Sequence, residues 1–112
     1  MSSLKRARSL ALVLPGAAEQ DHHGMASFRV RGRIFATVFD HDHIRIMLDE
    51  LQIREAVAEY PGICGEVFWG KRLSAVVVAL GPADDALLRE LLTDAWLAKA
   101  PRTLAAEYRQ PP

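Results

Sequence analysis

The stretch SFRVRGRIFATVF, residues 27–39, sets the fold. Its first half alternates, with Phe28 and Val30 on one face and Arg29 and Arg31 on the other. Alternation of this kind marks a strand with one buried and one wet face. Its second half, RIFATVF (33–39), is β-branched and aromatic and reads as another strand. Arg31-Gly32-Arg33 between them reads as a tight turn, because Gly32 tolerates the positive φ a short hairpin needs.

Downstream, residues 43–48 alternate again, with Ile44, Ile46 and Leu48 set against Arg45 and Met47. The turn before them is Asp40-His41-Asp42, so three strands form a meander. Residues 49–60 change to a helical period, with Asp49 as N-cap, a stripe of Ile53, Ala56, Val57 and Tyr60, and Pro61-Gly62 as the stop. Residues 64–69 and 73–80 read as two more strands joined by Gly70-Lys71-Arg72. The second of these is apolar on both faces from Ala75 to Leu80, which places it in the sheet interior. After Gly81-Pro82, a helix over 83–99 carries the stripe Leu87, Leu88, Leu91, Leu92, Ala95 and Trp96. Pro101 starts a last short helix with Leu104, Ala105 and Tyr108.

Upstream, residues 3–14 form an amphipathic helix capped by Ser2 or Ser3 and stopped by Pro15-Gly16. Residues 17–24 read as a polar connection. The order α-β-β-β-α-β-β-α-α predicts an α+β fold, a single five-stranded antiparallel sheet with helices mainly on one face. The expected core includes Phe28, Phe35, Ile46, Val77, Leu88, Leu91 and Trp96.

The chain has 112 residues, half of them hydrophobic and a quarter charged, which suits one globular domain over 1–112. Cys64 is the single cysteine, so no disulfide can form within the chain, and a cytoplasmic, reducing setting is expected. Lys5, Arg6 and Arg8 precede only a short apolar run, Leu10 to Leu14, which does not make a signal peptide or a membrane span.

Basic and acidic residues balance at 14 each, a neutrality that counts against strong DNA binding. The charges are unevenly placed. Residues 1–48 hold 7 basic and 4 acidic side chains, and residues 49–112 hold 7 and 10. A basic face on a neutral protein is therefore open.

Two clusters carry metal-ligand types: Asp21, His22 and His23, and then Asp40, His41, Asp42 and His43. In an extended segment Asp40 and Asp42 point away from His41 and His43, so no local face gathers ligands. Asp-rich turns are also ordinary, because Asp bonds its own backbone. Folding without metal or cofactor is expected. Cys64 has no histidine placed beside it in sequence. No phosphate-binding glycine loop, nucleophile elbow or zinc-binding helix motif is present. No enzymatic activity is expected.

Four stretches together resemble the MmcQ/YjbR family. They are His22-His23-Gly24 leading into SFRVRGRIFATVF (27–39), IRIMLD (44–49), WGKRLSAVVVAL (69–80) and LLTDAWLAKAPRTLAA (91–106). The resemblance covers nearly the whole chain. It implies a frataxin-like (CyaY-like) fold and DNA binding through a double wing of hairpins, here Arg31-Gly32-Arg33 and Gly70-Lys71-Arg72. Relatives often carry a second aromatic near Leu73, and this chain has none there.

The expected nucleic-acid contacts are Arg29, Arg31, Arg33, Lys71 and Arg72, with Trp69 as a wedge, and the expected partner is double-stranded DNA. Trp69 can equally anchor the core, and strand-face cations can simply keep an edge soluble. The alternative function is a protein-interaction or ligand-binding module that does not touch nucleic acid.

Overall fold

The structure, a computed structural model, describes residues 2–109. Helix α1 (Leu4–Leu12) begins where the Ser3 hydroxyl accepts the Arg6 amide, and it buries Ala7, Leu10 and Ala11. Six strands follow: β1 (Ala17–His22), β2 (Met25–Val30), β3 (Arg33–Asp40), β4 (His43–Ile46), β5 (Cys64–Trp69) and β6 (Arg72–Ala79). Helix α2 (Glu50–Glu59) lies between β4 and β5, and α3 (Asp85–Lys99) and α4 (Arg102–Arg109) close the chain. All neighbouring strands are antiparallel, in the order β1-β2-β3-β4-β6-β5.

The sheet has six strands, not five, because residues 17–22 of the expected polar connection form β1. This strand begins with two alanines, is polar from Glu19 on, and pairs only with β2, from Ala17 opposite Val30 to His22 opposite Met25. An edge strand with exposed faces needs no apolar alternation, so its sequence gave no strand signal. The turn that joins it to β2 is His23-Gly24, with φ of 54° and 85°. Positive φ at both central residues is the type I′ geometry that matches strand twist. Arg31-Gly32 repeats it with φ of 50° and 81°.

Helices cover one face of the sheet. Phe28, Val30, Ala36, Ile44, Ile46, Val76 and Val78 meet Leu88, Leu92 and Trp96 there in one buried cluster. A bulge sharpens this packing. Phe28 opposes Ala36 and Arg29 opposes Ile34, which leaves Phe35 with no partner on β2. Phe35 and Ala36 are both fully buried as a result, against the strict alternation of a regular strand.

Strand β4 ends at Ile46 rather than residue 48, although the Met47 amide still donates to the Phe35 carbonyl. Val77 is only partly buried, because it stands opposite Arg45 and Gly65 on the face without helices, while Val76 and Val78 enter the core. The apolar run 75–80 hid which face was covered. Its strand, β6, does lie inside the sheet, between β4 and β5.

Helix termini are closed by local bonds. Asp49 and Gln52 form a capping box on α2, and the Asp84 carboxylate accepts the Leu87 amide on α3. The Trp96 indole N–H donates to the Pro15 carbonyl at 2.9 Å and ties α3 to the end of α1. Tyr108 of α4 packs its ring 5.0 Å from that of Trp96. Among the described residues, no helix is long and apolar enough to cross a membrane.

Candidate nucleic-acid interface

Strand directions decide where the hairpin turns lie. Strand β2 runs up to Arg31-Gly32, and β3 runs down, β4 up and β6 down, each antiparallel to its neighbour. Strand β5 runs up beside β6 and ends at Gly70-Lys71. The two basic turns therefore project from the same end of the sheet, with the short β4 between their hairpins. The turns His23-Gly24 and His41-Asp42 lie at the opposite end.

Arg31, Arg33, Lys71 and Arg72 are all exposed on the two turns and their first flanking positions. None of them forms an ion pair among the described residues. Arg33 donates to the Lys99 carbonyl at 3.3 Å, which brings the C-terminus of α3 to the same end. Trp69 is 52% exposed and its neighbour Phe68 51%, so the exposed alternative for Trp69 is the one the fold adopts. Nothing in the local sequence pattern distinguishes Phe68. It faces solvent because β5 is the sheet's other edge and its register shifts between Val67 and Phe68.

Arg29 sits apart from this group. It lies on the helix-free face in mid-strand, where its Nε donates to the Ser27 hydroxyl at 3.1 Å and a terminal nitrogen lies 3.4 Å from His22 Nδ1. Its side chain thus leans toward the far end of the sheet, away from the turns. Geometry gathers five of the six expected contact residues and leaves Arg29 out.

At the far end, the Asp40 carboxylate lies 2.8 Å from His43 Nδ1 and accepts the Asp42 amide, also at 2.8 Å. Asp21 accepts the Gly24 amide at 3.3 Å. These carboxylates serve their own turns, and no grouping suited to a metal ion occurs among the described residues. Cys64 is buried, and burial alone pushes its thiol pKa up, away from the reactive thiolate.

The hydrogen bond from His43 and the Asp42 amide hold the Asp40 carboxyl below the usual carboxylate range. A folded pKa lower than the unfolded one contributes stability that is complete above the unfolded value and is lost as pH falls through the folded one. Asp40→Asn should therefore make stability less steeply pH-dependent below about pH 4. Urea melts of both proteins at pH 7 and in acid check this, and parallel acid limbs would refute it.

A one-sided antiparallel sheet with two basic hairpins at one end defines an α+β protein with a cationic rim. The YjbR family model matches residues 12–98, and the chain belongs to that family. The fold is also similar to the crystal structure of Deinococcus radiodurans protein DR2400, described as a DUF419 domain, with a TM-score of 0.77 at 20% identity. That likeness covers 99% of this chain and 91% of the other. No curated protein matches the chain.

Proposed function

We propose that the protein binds double-stranded DNA through its two basic hairpin turns, weakly and with little regard to sequence. The observation that carries this reading is the projection of Arg31, Arg33, Lys71 and Arg72 from one end of the sheet, unpaired with acid among the described residues. Guanidinium and ammonium groups on such turns suit phosphates, which position a protein without reading bases. Trp69 beside the second turn is exposed enough to press on a sugar or a base step. In this reading the protein is a binder rather than an enzyme, it works in the cytoplasm without a cofactor, and its relationship to frataxin-like folds follows from the family resemblance.

The test is fluorescence anisotropy of a labelled duplex at low and moderate salt. Four phosphate contacts bound the slope of log affinity against log salt at about −3.6, and micromolar or weaker binding is expected at physiological salt. The double variant Arg31→Glu/Arg33→Glu should lower both affinity and slope, since the first turn then repels the backbone. It should cost no more than about 1 kcal/mol of stability, because both side chains are exposed, with Arg33→Glu carrying most of the loss through the bond to the Lys99 carbonyl at the end of α3. Absence of binding even at low salt overturns the DNA reading and leaves the interaction-module reading in its place.

A further inference from the structure

The face of the sheet without helices forms a cleft of about 850 Å³. That volume falls within the range of small-molecule sites. Met25, Ile34, Met47 and Leu73 give it an apolar lining, and Thr37 and Arg45 add polar groups. Arg45 stands on β4, between β3 and β6, where a strand interior holds its stem in place.

Three observations set Arg45 apart. Its guanidinium carbon lies 4.1 Å from the centre of the Phe39 ring. Its Nε is closed off from solvent with no hydrogen-bond acceptor. No carboxylate forms an ion pair with it among the described residues. A shielded donor without a partner leaves this guanidinium under-satisfied, and an acceptor at its terminal nitrogens would add charge-assisted hydrogen bonds. The two carboxylates that border the cleft are already engaged. Asp49 accepts the Gln52 amide at 2.8 Å, and Glu50 pairs with Arg54 at 3.1 Å.

Thr37 stands directly opposite Arg45 in the register. Opposed residues on one sheet face hold their Cβ atoms roughly 4.5–5.5 Å apart, so the Thr37 hydroxyl stands beside the stem of Arg45 on the same face. We propose that this cleft binds a small organic carboxylate with an apolar body. The carboxylate lies against the Arg45 guanidinium and accepts from its terminal N–H groups and from the Thr37 hydroxyl. The apolar body lies over Met25, Ile34 and Met47. Arg72 and Lys99 also border the cleft, but the apolar lining around Arg45 makes a second ligand charge expensive to desolvate, which favours a carboxylate over a phosphate dianion there. Trp69 and Arg72 border both the cleft and the second turn, whereas Arg31 and Arg33 do not line the cleft, so a variant of the first turn separates this proposal from DNA binding.

The experiment follows the amide resonances of the folded protein during titration with 1-naphthylacetate and, separately, with its neutral isostere 1-naphthylacetamide. The acid should shift the Ile34, Thr37 and Arg45 amides and bind at least about tenfold more tightly than the amide, a difference of roughly 1.4 kcal/mol. Arg45→Met should remove that preference. Arg45→Lys, which keeps a point charge but not the fork, should weaken the acid at least about fivefold and carries the test if Arg45→Met does not fold. The Arg31→Glu/Arg33→Glu variant should bind the acid as the parent does. Equal binding of acid and amide overturns the proposal, as does retention of the preference in a folded Arg45→Met or an unweakened Arg45→Lys. Loss of binding in the Arg31→Glu/Arg33→Glu variant, or no shift on this face up to about 10 mM acid, overturns it as well.

Discussion

Trp96→Ala should cost about 3–5 kcal/mol of stability, the range for deleting a large aromatic from a packed core. Trp96 is fully buried and is the largest side chain in the core. Its removal opens a cavity under the sheet and frees the Tyr108 ring that packs on it. It also strips the Pro15 carbonyl of its indole donor, so the joint between α1 and α3 loosens. Denaturant melts of parent and variant measure the loss. Trp96→Phe separates the two causes, since it keeps most of the volume and removes the donor, and it should cost clearly less. A Trp96→Ala midpoint equal to that of the parent would refute this account of the core.

Phe35→Ala should be of similar severity, about 3–5 kcal/mol. The bulge opposite Phe28 and Arg29 turns Phe35 inward beside Ala36, so two consecutive side chains enter the core. Truncation leaves a void that Ala36 is too small to fill. The strand can relax only by returning to regular alternation, which would shift the pairing of β3 with β2 and carry Thr37 and the Arg45 row with it. The void is the smaller cost, so the bulge should persist with a hole beside it. Denaturation midpoints give the magnitude, and amide shifts at Ile34 and Thr37 that stay near their parent values would show that the register is kept. A loss below about 1 kcal/mol would mean that Phe35 does not anchor the core.

The fold was legible wherever burial imposes a period. Residues 27–39, the interior run 75–80 and the Leu-rich stripe of α3 each announce their element through apolar spacing. Strand β1 was not legible, because Ala18 to Asp21 are exposed along the sheet edge and only its half-buried ends, Ala17 and His22, depend on facing one way. The covered face of β6 was ambiguous for the opposite reason, since both of its faces are apolar and only the placement of the helices tells Val76 from Val77.

The candidate interface was legible in part. Basic residues at Gly-containing turns can be read one by one, but their shared location depends on a chain of antiparallel pairings that no local pattern contains. Arg29 shows the limit. It alternates with Phe28 and Val30 like a solvent-facing residue, yet Ser27 and His22 draw it down along the sheet face. Arg45 is hidden for a related reason, because its alternation reads as ordinary exposure when in fact it lies over an aromatic ring with a shielded donor.

The turns at the two ends of the sheet differ in sign. One end bears Arg31, Arg33, Lys71 and Arg72, and the other bears Asp21, Asp40 and Asp42, on a chain whose formal charge is zero. These turns contribute an electric dipole along the strands, reduced at the basic end by Asp49 and Glu50 where β4 leads into α2, on a chain with almost no monopole. A distant polyanion exerts little net pull on it, but the field turns it so that the basic end leads. At physiological salt that torque acts only within about 8 Å, one Debye length, so orientation and capture happen nearly together. Lowering the salt should then raise the association rate less than it would for a protein with excess positive charge, because the field gains an aligner and not an attractor.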